Sequence, residues 1–250
     1  MSAYISIITP CYNAGKTIAM TIESVMAQTF SDWEMLIVDD CSTDDSAKVI
    51  KEFTDKDCRI KYFRTPKASG SPAMPRNIGI ENASGKYIAF LDADDVWIKD
   101  KLTKEIEFAE RNNYHLVYSY YEKMDWNGKR NNRVVKTAPV STYRSLLKSN
   151  SIPCLTSMVS REAIGDTRFK HILQEDFCFW LDILKKGYTA YNICEPTALY
   201  REAKMSRSSN KIDMFKGYWG VIRKQQHISL IPCCYYMVTY SVLGFLKYLK

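Results

Sequence analysis

The stretch YIAFLDADD (87–95) runs from apolar residues straight into Asp92, Ala93, Asp94 and Asp95. Carboxylates set so close repel one another, and burial next to an apolar run disfavours their charge. A lone acidic pair after a strand is most often a helix cap or a turn. A denser cluster has a further use. Mg²⁺ and Mn²⁺ take oxygen ligands and commonly bridge one or two carboxylates to substrate phosphates. A bound dication also removes the repulsion between neighbouring aspartates. The trio therefore reads as a seat for a divalent metal that holds a diphosphate. A further acidic point, Asp39-Asp40, ends another apolar run.

The elements that must carry these residues can be read from periodicity. Tyr4–Thr9 is an apolar run that Pro10 stops, which predicts a buried strand. Lys16–Gln28 has helical spacing, and Glu34–Val38 is a second strand ending at Asp39-Asp40. Ser42 with Asp45 approximates a capping box that opens the next helix. Ile60–Arg64 is a third strand, and 65–75 a loop with Pro75 in the first turn of helix Arg76–Asn82. Strand Tyr87–Leu91, helix Lys99–Asn112 and strand Leu116–Tyr121 follow. Asn127-Gly128 marks a hairpin turn between Tyr118–Trp126 and Arg133–Lys136. Beyond it, Tyr143–Ser149 reads as helix and Ile152–Val159 as strand. Phe177–Lys186 is a buried helix closed by Gly187, Tyr188–Tyr200 holds one or two strands, and the pattern is helical from Lys211. Alternating strands and helices with short links predict a mostly parallel sheet covered on both faces. Ligands of such sheets bind beyond the carboxyl ends of the strands. The segment 9–13, Asp39-Asp40 and the 92–95 cluster all fall there.

Composition narrows the class. In 250 residues, 46% are hydrophobic and 13% aromatic, enough for a packed core, so global disorder is excluded. The formal charge is +7, a balance that suits anionic partners and is also common on ordinary soluble surfaces. None of the eight cysteines forms a CxxC pair, which argues against structural zinc and fits reduced, cytosolic thiols. The start MSAYISIITPCYNAG lacks a basic segment and a cleavage site and reads as a strand, not a signal peptide. No G-x-G-x-x-G follows the first strand, so a dinucleotide-binding oxidoreductase is excluded. A nucleotidyltransferase making nucleotide sugars would want a Gly-rich phosphate loop that TPCYNAGKTI lacks. A nucleic-acid-binding module is the non-enzyme alternative, but the basic residues here flank acidic ones, and no nucleic-acid partner is expected.

Four blocks in order, TPCYNAGKTI, VDDCSTDDS, PRNIGIENASGKYIAFLDADD and QEDFCFWLDIL, resemble the motifs of family-2 glycosyltransferases with the GT-A fold. The likeness covers roughly residues 4–208, and YREAKMSRSSNK is similar to the end of bacterial surface-polysaccharide (O-antigen type) members. It implies an inverting, Mn²⁺- or Mg²⁺-dependent transfer of one sugar from a nucleotide sugar, with UDP-sugars leading, to an acceptor hydroxyl. A glycan or lipid-linked oligosaccharide is the implied acceptor. Position by position, it implies that Tyr12 flanks the base, with Thr9 and Pro10 lining the same slot. Asp40 would bond the base, and Asp39 would contact it or buttress the loop. Arg76 lies near the nucleotide, Asp92 and Ala93 by the ribose, Asp94 and Asp95 at the metal, and Asp176 as catalytic base. An acceptor hydroxyl is a weak nucleophile and needs such a carboxylate to take its proton. Family members often carry a histidine in the basic stretch after Tyr200. This chain has none between His171 and His227, so Arg207 stands in for that phosphate or metal contact.

The chain divides into a catalytic domain, 1–208, and a helical segment, 209–250. Its last part, Ile228–Lys250, is largely apolar, rich in tyrosine and broken by Pro232. It is borderline for the roughly 20 apolar residues a spanning helix needs. A membrane-surface helix or hairpin is the preferred reading, ahead of a helix packed on the domain or on a second subunit, and of a true span. The expected location is cytoplasmic, at the inner face of the membrane. A processive synthase would need several long spans, which are absent from the sequence.

Overall fold

The computed structural model describes residues 3–202 and 210–246. Arg207 and the 208/209 division lie outside the described residues. The chain runs β1 (Ile5–Cys11), α1 (Ile18–Met26), β2 (Trp33–Asp39), α2 (Ser46–Thr54), β3 (Ile60–Arg64), α3 (Ala73–Asn82) and β4 (Tyr87–Phe90). Then come β5 (Val96–Trp97), α4 (Lys101–Asn112), β6 (Leu116–Met124), β7 (Arg130–Val135), β8 (Val140–Ser141) and α5 (Tyr143–Leu146). A 3₁₀ turn at Cys154–Thr156 leads to β9 (Met158–Ser160), α6 (Arg161–Ile164), α7 (Glu175–Lys185) and β10 (Ala190–Arg201). The last described elements are α8 (Lys211–Trp219), a π-helical turn Gly220–Gln225 and α9 (Leu230–Leu246).

One sheet has the order β3-β2-β1-β4-β9-β6-β10-β5, with β7 beside β6 and β8 beside β10. The β3-β2-β1-β4 half is parallel, as is β6-β10, and β9 is antiparallel to both of its neighbours. Alternation along β1 feeds two cores. Ile8 packs on one face with Phe90, Ile80 and the α7 residues, while Ile5 and Ile7 pack on the other with Ile18, Ile22 and Leu102. The sheet is thus covered on both faces, and its strand ends converge on one rim.

Several boundaries differ from the sequence reading; α3, for one, already begins at Ala73, three positions before Arg76. Pro10 does not stop β1; it pairs in register with Val38. Odd residues of β1 bond towards β2, as in Ile5 N to Asp32 O and Asp40 N to Cys11 O, so the missing Pro10 donor faces β4. The β1–β4 pairing ends at Ile8–Phe90, where Leu91 N donates to Ile8 O (3.0 Å); the next donor of that ladder would be residue 10, so Pro10 closes the β4 side while β1 runs on beside β2. Ser42 and Asp45 form no capping box, and α2 starts only at Ser46. Ile152–Val159 is mainly loop and 3₁₀ turn, with strand only from Met158. Finally, α7 begins at Glu175, two positions before Phe177, so both acidic residues lie in its first turn.

Candidate active site

At the carboxyl rim of the parallel strands lies a cavity of about 880 Å³. It is lined by Pro10, Tyr12, Asp40, Arg76, Asp92, Ala93, Asp94, Asp95 and Asp176 among others, so one space collects residues from the whole length of the chain.

The loop after β1 is fastened to the loop after β2. Asn13 N donates to Ser42 Oγ (2.9 Å), Ala14 N to Ser46 Oγ (2.8 Å) and Gly15 N to Asp44 Oδ2 (2.8 Å). In return Thr43 N donates to Asn13 Oδ1 (2.9 Å). Ser42 and its neighbours, expected to cap a helix, serve this junction instead. Asn13 takes a positive φ of 49°, a conformation that asparagine tolerates, and Tyr12 is left 59% exposed at the cavity wall.

Thr9 and Asp39 are not brought to the cavity. Both are fully buried, and Thr9 Oγ1 has no hydrogen-bond partner among the described residues. Asp39 accepts from Ser42 N (2.8 Å) and Tyr62 Oη (2.8 Å), which makes it the buttress of the β2 loop. Asp40 lines the cavity, but its oxygens already accept from Ser69 N (2.8 Å), Ser69 Oγ (2.9 Å), Gly70 N (3.0 Å) and Thr65 Oγ1 (3.0 Å). It therefore holds the 65–72 loop against the rim.

Arg76, on α3, is nearly buried and joins two sides of the site. Its Nη2 donates to Asp92 Oδ1 (2.7 Å) and its Nη1 to Glu175 Oε1 (3.1 Å). Its Nε is buried without a partner among the described residues. The bridge separates the roles of the two acids that open α7. Glu175 is committed to Arg76. Asp176 accepts a longer bond from Asn150 Nδ2 (3.2 Å), beside the cavity. Burial, and then the Glu175 charge, push the Asp176 carboxyl up to about 6. Gln174, just before, is held at φ 64°, in the left-handed region, and donates from Nε2 to Met214 O (2.7 Å). Strain of this kind gathers at functional sites.

Of the 92–95 cluster, Asp92 and Asp94 are partly exposed, while Asp95 is buried. Asp95 Oδ1 accepts from Arg201 N (2.9 Å), and Arg201 Nε donates to Asp94 O (2.7 Å), so β10 anchors the acidic loop. Burial, followed by the Asp92 charge, raises the Asp94 carboxyl to about 6. Among the described residues, no group of three or more Cys, His, Asp or Glu side chains converges as a ready-made metal cage. A partly exposed carboxylate pair, Asp92 and Asp94, still fits Mg²⁺ or Mn²⁺ whose remaining ligands are phosphate oxygens and water. It does not fit a closed structural site.

Several lining residues had no assigned part in the sequence reading: Asn150, Trp126, Met214 and Tyr240. Trp126 is 50% exposed at the hairpin tip that Asn127-Gly128 announced. Arg201, the first cation of the basic stretch after Tyr200, anchors the acidic loop. The Asn-Gly signal could have pointed to Trp126; nothing local marks Asn150 or Tyr240.

The model of the family described as "Glycosyl transferase family 2" matches residues 6–172. TuaG of Bacillus subtilis (strain 168), a glycosyltransferase assigned to teichuronic acid biosynthesis, is 38% identical over 238 residues, covering 95% of this chain and 94% of TuaG. WfgD of Escherichia coli, a UDP-Glc:alpha-D-GlcNAc-diphosphoundecaprenol beta-1,3-glucosyltransferase, is 38% identical over 248 residues, 98% of this chain and 94% of WfgD. Among solved structures, S. aureus TarS 1–349 in complex with UDP-GlcNAc superposes with a TM-score of 0.73 at 22% identity. That match covers 90% of this chain, which spans 65% of the TarS chain, and it bears on the fold, which is GT-A.

Proposed function

The chain belongs to glycosyl transferase family 2, and from that premise we propose that this glycosyltransferase moves one sugar from a UDP-sugar to a hydroxyl of a lipid-linked acceptor, with inversion, using Mn²⁺ or Mg²⁺. The observation that carries the reading is the pair at the start of α7. Glu175 is tied to Arg76, while Asp176 stands in the same cavity as Asp92 and Asp94 with its pKa lifted towards neutrality. The relatives named for a UDP-Glc donor and a diphosphoundecaprenol acceptor support the substrate class. They also support a place in bacterial surface-polysaccharide synthesis, at the inner face of the membrane with contact through Ile228–Lys250. In this reading, residues 1–208 form the catalytic unit and 209–250 a helical segment against it.

Each side chain then has a task. Tyr12 flanks the base, with Pro10 and Ala93 along the same wall. Asp40 meets the base edge if the Ser69-Gly70 amides yield one of its oxygens. Asp92, oriented by Arg76, faces the ribose, and Asp94 is the leading metal ligand, with Asp95 fixing the loop from behind. A divalent cation bound there supplies positive charge to the departing diphosphate. Arg76 adds a second fixed charge close by. Asp176 takes the proton of the acceptor hydroxyl as its oxygen bonds to the anomeric carbon and UDP leaves from the opposite face. No protein nucleophile is needed, so a single base suffices, unlike the paired carboxylates of glycoside hydrolysis. Arg207 keeps its proposed phosphate contact.

The test is a panel of nucleotide sugars with a diphospholipid acceptor and with short water-soluble acceptor analogues, in Mn²⁺, Mg²⁺ or EDTA, scored by free nucleoside diphosphate. We expect release from one UDP-sugar, dependent on acceptor and abolished by EDTA. Release that is equal in EDTA, or confined to a GDP- or dTDP-sugar, overturns the metal or the donor assignment.

A further inference from the structure

Helix α9 has apolar side chains on two opposite faces. The inner face is seated: Cys233 and Met237 are buried, and the Tyr240 ring stacks on Tyr218 at 4.0 Å. The outer face is bare. Ile231, Tyr235, Val238 and Val242 recur at i, i+4, i+7 and i+11 and are 85%, 54%, 63% and 51% exposed. Such a spacing makes one continuous stripe, and a helix apolar all round belongs against apolar surroundings on both sides. Exposed apolar patches of this kind mark interaction surfaces.

The surrounding charge identifies the partner. After Asp213 the sequence contains no Asp or Glu, while Lys216, Arg223, Lys224, Lys247 and Lys250 are basic. Arg223 and Lys224 are exposed just before α9, and Arg223 Nη1 donates to Ile228 O (2.9 Å), which keeps one cation beside the start of the helix. Among the described residues no helix is long and apolar enough to cross a membrane. An apolar stripe with cations at its edge and interfacial tyrosine lies on a bilayer surface. A two-fold contact with a second copy would instead oppose cation to cation, with no acid between them.

We infer that the outer face of α9, together with Arg223 and Lys224, docks this protein on an anionic lipid surface. The inner face of the same helix reaches the catalytic cavity through Tyr240, and α8 reaches it through Met214. Docking would therefore set the acceptor side of the cavity at the lipid interface. That last consequence rests on the lipid-linked acceptor proposed above; the docking itself does not.

Co-sedimentation of the full chain with vesicles tests it, without sugar or acceptor present. The chain should pellet with phosphatidylcholine–phosphatidylglycerol vesicles and only weakly with phosphatidylcholine alone. The triple variant Ile231→Glu, Val238→Glu, Val242→Glu should bind at least about tenfold more weakly. Arg223→Glu with Lys224→Glu, which leaves the stripe intact, should weaken binding to the anionic vesicles by about tenfold or more. Both variants should keep the wild-type rate of UDP release with a water-soluble acceptor, which certifies the fold. Wild-type protein left in the supernatant with both vesicles overturns the inference. So does undiminished pelleting of the triple variant, or a wild-type dimer that the triple variant turns to monomer. Loss of UDP release in every protein while pelleting behaves as expected would strike the proposed reaction instead.

Discussion

A carboxylate can take a proton from an alcohol only while it is itself unprotonated. With the Asp176 carboxyl near 6, the turnover rate should fall as pH drops through about 6, visible as the acid limb of a kcat–pH profile. Asn150 donates to Asp176 and lowers its pKa, so Asn150→Ala should move that limb to higher pH. The sign for stability follows from the same shift. A carboxyl raised from 3.8 to about 6 in the folded state favours folding below about pH 4, and that contribution is lost as pH rises through 6. Asp176→Asn should therefore reduce turnover by at least about 10²-fold. It should also melt higher than wild type at pH 8, by roughly 1–3 kcal/mol, with the gain vanishing below about pH 4. A lower melting temperature at pH 8 would count against an electrostatically strained base at the cavity wall. The acid cluster after an apolar run brought Asp94 forward as a candidate, and the motif blocks added Asp176 through the resemblance alone. They did not say which of Glu175 and Asp176 is available, since that depends on Arg76, 99 positions away. Nor did they separate Asp39 from Asp40: adjacent residues at a strand end point to opposite sides, and only pairing shows which side is the core.

At the scale of elements, the site depends on how closely α3 sits on the sheet, because α3 carries Arg76. Gly79 makes that approach possible. A Cβ there would lie 2.4 Å from Ile8 Cγ2, closer than real atoms come, and a tight 3.2 Å from Ile8 Cβ. Gly79→Ala should push α3 outward, lowering stability by about 1–3 kcal/mol as overpacking does. It should also stretch the Arg76–Asp92 and Arg76–Glu175 pairs. Thermal denaturation and UDP titration check this; an unchanged melting temperature would show that the helix has slack. The strands of the first half were readable because buried parallel strands are short apolar runs. Where the reading slipped, tertiary partners had changed the meaning of a local signal. Pro10 ends only the ladder towards β4 while the pairing with β2 runs on, and Ser42 bonds the β1 loop rather than its own helix. In 152–159 most of the apolar side chains pack as loop, and only Met158 and Val159 reach the sheet, in β9, between β4 and β6.

For the molecule as a whole, the C-terminal helices are at once wall and surface. The sequence reading set membrane contact against packing on the domain, but a helix has two sides and α9 uses its inner one for the core. Cys233 and Met237 belong to the same buried cluster as Phe177, Trp180 and Tyr218, and the Tyr218 ring stacks on both Phe177 (5.4 Å) and Tyr240 (4.0 Å). Deleting 228–250 would thus uncover Tyr218 of α8, whose ring backs Phe177 on α7, the helix whose first turn presents Asp176. Removing several buried side chains at once should lower stability by at least about 3 kcal/mol, judged from single large-to-small core changes. Turnover should fall as well, because Gln174 and Asp176 lose the support behind them. The outer-face variants remove only exposed groups and should stay within about 0.5 kcal/mol of wild type. A melting experiment on deletion and triple variant side by side separates the two functions of one helix. A truncated protein that melts like wild type and still releases UDP would show that α9 is an appendage rather than part of the catalytic fold.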